Sequence, residues 1–258
     1  VVQDIFFTET AQIADVVLPA AAFAEKHGTF TNTERRVQYS FKALDPPVGA
    51  KYDHEIVAEI AKRMGCLDFP ATVEELYAEI RKLTPSYAGI SYERIMNKAG
   101  LRWPCPTEEH PGTPILHGAK FSRGLGLLKA ITYRPPVEYA NNEYPLTLTT
   151  GRILQHYHTG SMTRRSKVLD GIVKSGFVEI NTVDALKLNI KNGETVKVSS
   201  LRGSINITAK VTEKIKKGVV FIPFHFAETA ANILTNDAYD PVAKIPEYKV
   251  CAVKIEKI

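Results

Sequence analysis

The chain has 258 residues, enough for about two domains, and its 44% hydrophobic and 24% charged composition is that of an ordinary globular protein. Its net charge of +5 is mild; no helix-turn-helix, ribonucleoprotein or zinc-finger pattern accompanies it, which argues against nucleic acid as a partner. The longest apolar run, VVLPAAAFA (16–24), falls short of the ~18–20 residues of a membrane span, and no basic-then-apolar leader is present.

Cys66, Cys105 and Cys251 are far apart and form no CxxC. They build neither a zinc nor an iron–sulfur site by themselves, and a reduced, cytoplasmic setting is expected. The chain opens VVQDIFF without a methionine. This reads as a buried strand already under way, so Val1 is not expected to be a natural start and the chain is expected to be the C-terminal part of something longer.

In chain order, VVQDIFF (1–7) predicts a strand. TETAQIA (8–14) predicts a short helix capped by Thr8, and ADVVLPA (14–20) a second apolar strand. Strand–helix–strand with apolar strands implies a parallel sheet covered on both faces. EKHGTFTNTERRVQ (25–38) reads as loop, with Gly28 and Asn32 as turn residues. A helix over 53–64 places Ile56, Val57, Ile60, Ala61 and Met64 on one face and stops at Gly65, with Asp53 as its N-cap. The capping box Thr72–Glu75 opens another helix carrying Leu76, Ile80 and Leu83, which Pro85 ends.

Prolines and glycines punctuate residues 100–145, a connecting segment that places a domain boundary near 140. The expected domains are therefore 1–140 and 141–258. Beyond it, YPLTLTT, GFVEIN, TVKVSS, SINITAKVT and VVFIPFH read as strands, interrupted by a helix TVDALKL (182–188), with turns at Asn192-Gly193 and Arg202-Gly203. Short strands with close turns predict a small closed barrel of six-stranded type.

The densest chemistry lies in TTGRILQHYHTGSMTRR (149–165): two Thr/Gly turns, three arginines, two histidines, a glutamine and a serine. No carboxylate occurs between Glu143 and Asp170. Such a segment suits an anionic, heteroatom-rich ligand. Thr150-Gly151-Arg152 follows a strand; the glycine permits a sharp turn and close approach, and a guanidinium fork holds phosphate oxygens. If the segment is extended, His156 and His158 share a face. That leaves three readings: donors to a polar ligand together with Gln155, Tyr157, Thr159 and Ser161, histidines satisfied by the backbone, or a metal pair without further ligands. Gln3 and Asp4 end a parallel strand, where open α/β sheets bind ligands; Asp4 is equally a turn cap. No nucleophile arrangement, phosphate-binding GxxxxGK[ST] or paired acid and base is present. Alone, the chain reads as a binding module.

These segments resemble the molybdopterin oxidoreductase family over essentially the whole chain. VVQDIFFTETAQIADVVLPAAAFAEKHGTFTNTERRVQ (1–38) is similar to the end of the family's third domain. TTGRILQHYHTGSMTRRS (149–166), VVFIPFHFAETAANILTND (219–237) and PVAKIPEYKVCAVKIEKI (241–258) are similar to its C-terminal domain. The resemblance implies the end of a parallel, Rossmann-like α/β domain followed by a double-psi-type β-barrel. FAEKHGTFTNTERRVQ (23–38), LTPSYAGISYERI (83–95) and FHFAETAANILTNDAYDPVAKIPEYK (224–249) favour the formate dehydrogenase catalytic subunits within the family. Alternatives are part of a nitrate reductase or formylmethanofuran dehydrogenase, or a non-catalytic barrel acting as a binding or assembly subunit.

In such enzymes two pyranopterin guanine dinucleotides hold one molybdenum or tungsten. The resemblance assigns contacts with them to Gln3, Asp4, Lys26, Asp53, residues 150–159, Asn232 and Lys249, and puts Phe224 near the substrate, with a core aromatic as the equal alternative for that residue. It implies formate as substrate of the whole enzyme, an N-terminal half of the subunit as partner, and an electron-transfer subunit beyond it. The family's metal-ligating cysteine or selenocysteine, its neighbouring histidine, the substrate arginine and the iron–sulfur cysteines all lie upstream of the matching segment. This chain is therefore expected to lack metal ligands and catalytic residues of its own.

Overall fold

The computed structural model of the chain describes residues 1–97 and 99–258. They form two compact units, Val1–Leu128 and Lys129–Ile258.

In the first unit, β1 (Val2–Asp4), α1 (Glu9–Gln12) and β2 (Val17–Pro19) make the expected crossover. The strands pair in parallel, Val2 with Val17 and Asp4 with Pro19, and the Thr8 hydroxyl caps α1 by accepting from Ala11 N–H. Both strands are shorter than the apolar runs suggest. Their residues are half-buried or exposed, so the described residues do not supply the expected cover on both faces. Ala20 bridges to Lys51, and Lys51 N–H donates to the Pro19 carbonyl. That link delivers the chain to a later helix beside the β1 terminus.

Residues 25–38 are not the loop the sequence suggests. β3 (Gly28–Thr31) and β4 (Arg36–Ser40) form an antiparallel hairpin. Its turn is held by Asn32, whose Oδ1 accepts from Arg36 N–H at 3.0 Å, while Arg35 takes a left-handed φ of 65°. Next come α2 (Asp53–Arg63), α3 (Val73–Leu83), α4 (Tyr92–Met96) and β5 (Leu101–Arg102). β5 completes a three-stranded sheet against β4.

The N-cap of α2 is Tyr52, not Asp53, which occupies the first helical position. Only Ile56 and Ala58 of α2 are buried; Val57, Ile60 and Met64 of the expected apolar face are exposed. The α3 capping box forms as read: Glu75 N–H donates to Thr72 Oγ1, and the Glu75 carboxylate accepts from Thr72 N–H. Tyr77, rather than Leu76, Ile80 or Leu83, is the buried residue of α3. It packs edge-on to Tyr92 at 5.1 Å in a core with Val37, Ile90, Ile95, Leu101 and Cys105. Burial pushes the Tyr92 hydroxyl up to about 12.

The second unit is a closed six-stranded barrel. Its strands are β6 (Leu146–Gly151), β7 (Phe177–Asn181), β8 (Thr195–Ser199), β9 (Ser204–Thr212), β10 (Val219–Pro223) and β11 (Cys251–Lys257). Around the barrel the order is β10-β6-β11-β8-β9-β7. β6 with β10 and β7 with β9 are parallel, the other neighbours antiparallel, the pairing of a double-psi-type barrel. Two short helices interrupt the strands, α5 (Lys167–Ile172) and α6 (Thr182–Lys187). Alternate residues point inward, as the period of two requires. Leu146, Leu148, Val178, Ile180, Val196, Val198, Ile205, Ile207, Val220, Ile222, Val253 and Ile255 fill the interior. No described helix is long and apolar enough to cross a membrane.

Candidate functional site

In the barrel unit, β6 runs out at Gly151 into the 152–161 loop. Thr150 is buried, and its hydroxyl donates to the Tyr248 carbonyl at 2.8 Å. Its own carbonyl accepts from Lys249 Nζ, so residues 248–249 are fastened to the end of β6. A Cβ on Gly151 would stand 2.7 Å from the Phe221 ring, and its carbonyl accepts from Phe224 N–H. The glycine is therefore needed for packing as much as for turning.

Arg152 emerges exposed from this turn, its guanidinium 5.9 Å from the Phe224 ring centre. Among the described residues no carboxylate pairs with it. Of the other two arginines of the segment, Arg165 donates to the Ser161 carbonyl and Arg164 is committed to a carboxylate. It makes a bidentate pair with Glu228 at 2.8 and 2.9 Å and lies over Phe226. Burial is the largest single influence and would raise the Glu228 carboxyl, but the Arg164 hydrogen bonds and charge, together with a backbone hydrogen bond, hold the group below its ordinary value.

The two histidines do not share a face, because the segment turns rather than extends. His156 is buried, with Nδ1 3.1 Å from Thr163 Oγ1 and Nε2 2.6 Å from the Val173 carbonyl. Both ring nitrogens are thus spent inside the chain, and Nε2 donates to the carbonyl. This is the backbone-satisfied arrangement. His158 is exposed at a left-handed φ of 48° and stands edge-on to exposed Tyr157. Thr159 and Ser161, both exposed, lie 3.1 Å apart through their hydroxyls, and Gln155 is half-buried. No group of three potential metal ligands exists among the described residues. Asn232 stands apart on the turn 231–233, exposed between buried Ala231 and Leu234.

Sequence reasoning passed over His225. It is 1% exposed, its Nε2 accepts from Ile153 N–H at 2.9 Å, and its Nδ1 donates to the His158 carbonyl. The available signal was a lone polar residue inside IPFHFA at the end of a buried strand. Thr163 and Glu228 were passed over likewise.

In the first unit, three of the four residues singled out meet. Gln3 Nε2 donates to Asp53 Oδ1 at 2.7 Å and Lys26 Nζ to Asp53 Oδ2. Burial works to raise the Asp53 carboxyl, but Lys26 and Gln3 together win and hold it below its ordinary value. A cavity of about 300 Å³ opens beside this cluster, lined by Lys26, Asp53, His54 and Tyr92 among others. Asp4 turns instead to its own chain, accepting from Phe6 N–H at 2.9 Å.

The two segments singled out are also those matched by family models. Residues 1–63 match the model described as "Molybdopterin oxidoreductase", and residues 146–252 the "Molydopterin dinucleotide binding domain". Over its full length the chain is 59% identical to the F420-dependent formate dehydrogenase 1 subunit alpha of Methanococcus maripaludis, covering 39% of that protein. It is 55% identical to the corresponding alpha subunit of Methanocaldococcus jannaschii, again covering 39% of it. Identity to the assimilatory nitrate reductase catalytic subunit of Bacillus subtilis is 39%, over 98% of this chain and 37% of that protein. The chain thus spans about two fifths of the length of these relatives. The solved acetylene hydratase from Pelobacter acetylenicus shares the fold, with a TM-score of 0.73 over 99% of this chain and 40% of that one, at 19% identity. With the two family models together covering well over half of the chain and falling on the residues that gather donors, and with relatives more than half identical along the whole of this chain, the chain belongs to the molybdopterin oxidoreductase family.

Proposed function

We propose that this chain is the cofactor-clamping part of a formate dehydrogenase catalytic subunit. The whole enzyme oxidises formate to carbon dioxide with two electrons, or runs the reverse. The observation that carries the reading is Arg152: an exposed guanidinium that no carboxylate among the described residues pairs, at the strand-to-loop turn of a segment free of acids. A cation in that setting is available for an anionic ligand. Exposed Lys249 adds to it, since its bond to Thr150 uses one of three ammonium protons. The donor chemistry fits the pyrophosphate and heterocycle of a dinucleotide.

The group held is a bis-(pyranopterin guanine dinucleotide) with molybdenum or tungsten, which supplies the two-electron redox chemistry when bound. The chain's own residues bind and orient. Arg152, Gln155, Tyr157, His158, Thr159, Ser161 and Lys249 offer donors. His156 shapes the loop from inside. Asp53, kept ionised by Lys26 and Gln3, is an acceptor suited to a guanine N1–H and N2–H₂ edge. Asn232 and Asp4 are secondary contacts, and Phe224 flanks the substrate approach. We assign the clamp domain to 141–258 and the α/β remnant with its connecting segment to 1–140. The protein ligand to the metal, any iron–sulfur cluster and the substrate arginine then belong to the remainder of the subunit. An electron-transfer subunit and a cytoplasmic location complete the proposal. The names of the relatives support formate over nitrate, since the nitrate reductase match is 39% against 59%.

The test uses the purified holoenzyme with Arg152, Arg152→Lys or Arg152→Ala, scored for bound guanine nucleotide and metal per protein and for formate- and nitrate-dependent dye reactions. Losing a charge-assisted bond of this kind weakens cofactor binding by about 1.5–3 kcal/mol, roughly ten- to a hundred-fold. Lysine recovers only part, because the planar fork is lost. Full occupancy in a folded Arg152→Ala enzyme overturns the clamp, and turnover of nitrate but not formate overturns the branch.

A further inference from the structure

His225 is the most deeply buried polar side chain of the barrel unit, 1% exposed, and touches the donor-rich loop at two points five residues apart. Ile153 N–H donates to Nε2 at 2.9 Å, and Nδ1–H donates to the His158 carbonyl. One imidazole therefore bridges the chain from just after Arg152 to just before Thr159. Only one tautomer satisfies both bonds, with the proton on Nδ1 and the lone pair on Nε2.

The residues it grips are those least able to hold their shape alone. His158 keeps a left-handed φ of 48°, which a non-glycine residue retains only when its surroundings impose it. Gly160, at φ 75°, packs against the same residue, since a Cβ there would stand 3.3 Å from the His225 carbonyl oxygen. The His156 ring, 6.0 Å from that of His225, ties the middle of the loop to Thr163 and Val173. The His225 ring also packs tilted to Phe224, at 5.0 Å, and so links the loop to the aromatic over which Arg152 lies.

We infer that His225 is a positioning residue. It fixes the backbone of 152–159 in the ligand-holding shape before any ligand arrives, so that Arg152 and the donors after it are pre-organised. This rests on the clamp proposed above for that loop.

The experiment compares His225→Phe, which keeps a ring but neither bond, with His225→Gln, which retains an acceptor and a donor, in the holoenzyme and beside Arg152→Ala. Three quantities are read: hydrogen exchange of the 152–160 backbone in cofactor-stripped protein, guanine nucleotide retained per protein, and melting temperature. The expected result for His225→Phe is about tenfold faster exchange confined to 152–160, with nucleotide retention falling by about the same factor. Exchange in β7, β9 and β10 stays as in the parent, and His225→Gln restores much of both readouts. Unchanged loop exchange in His225→Phe overturns the inference. So does a loosened loop with full retention when Arg152→Ala has lost its nucleotide; if Arg152→Ala also retains it, the clamp itself has failed. Should His225→Phe not fold, His225→Gln decides: exchange and retention nearer the parent than those of His225→Leu support the brace, and values equal to those of His225→Leu refute it.

Discussion

At the scale of single residues, partnership separates function from architecture more sharply than residue type does. Arg152 and Arg164 lie in one segment, yet Arg164 is consumed by Glu228 and Arg152 is not. His156 and His158 divide in the same way, one satisfied inside and one exposed. Sequence could gather the donors but could not sort them, because sorting depends on a turn centred on His158 and on partners 17 to 72 residues away. Asp53 gives a test at this scale. Its carboxyl lies below the ordinary Asp value of about 3.9. The stabilisation this brings is present above the unfolded value and is lost as pH falls through the folded one. Lys26→Met is expected to move the Asp53 titration upward in carboxyl-detected NMR, and Gln3→Leu to do so by less. An unmoved titration in Lys26→Met means that the pair seen here does not govern the charge of Asp53.

Among elements, a signal written within a few residues or as a clear alternation is legible in the sequence, whereas a turn or a buried face fixed by particular side chains and neighbours is not. The Thr72–Glu75 box named α3 because its two reciprocal bonds are written within four residues. Hairpin β3–β4 was missed since its turn, TNTERR, lacks the Asn-Gly signature. It works instead through the Asn32 side chain and a left-handed Arg35. The face of α2 was misjudged because its cover depends on neighbours that periodicity does not specify; Ile56 and Ala58 are buried while Ile60 and Met64 are exposed. The cap on α3 makes a direct prediction. Thr72→Ala removes the acceptor for Glu75 N–H and is expected to destabilise the first unit by about 1 kcal/mol, whereas Thr72→Ser stays within a few tenths. Urea denaturation followed by the fluorescence of Trp103, which packs on the same core as Tyr77, measures the difference. Equal midpoints for the two variants would sink the assignment of the cap.

Taken whole, the molecule joins a closed barrel with an apolar interior to an α/β unit whose first sheet, among the described residues, has two strands. The barrel is legible in the sequence because five of its strands largely alternate with a period of two around one core. The sixth strand, Cys251–Lys257, is absent from that reading, since AVKIEK is as charged as it is apolar and the strand's first three residues are buried in succession. The distribution of reactive groups over the two units sets the last prediction. Cys105 is buried, with its sulfur between the guanidinium of Arg94 and the carbonyl of His110, and Cys251 lies in the barrel core beside Asn236. A thiolate ligand to a metal must reach the metal, and both of these sulfurs are enclosed by their own units. Burial moreover pushes the Cys251 thiol up. Cys66 is exposed, but no described cluster of His, Cys, Asp or Glu surrounds it. On the reading proposed above, this chain brings donors for a dinucleotide, and among the described residues no group of three or more potential metal ligands gathers. Supplied alone with the extracted cofactor, it is expected to bind guanine dinucleotide, in an Arg152-dependent way, and to give no formate-dependent viologen reduction above a cofactor-only control. A melting curve run on the same sample shows whether the barrel is folded. Formate turnover at a rate comparable with the holoenzyme, from chain of verified purity, would show that the redox site is complete within these residues.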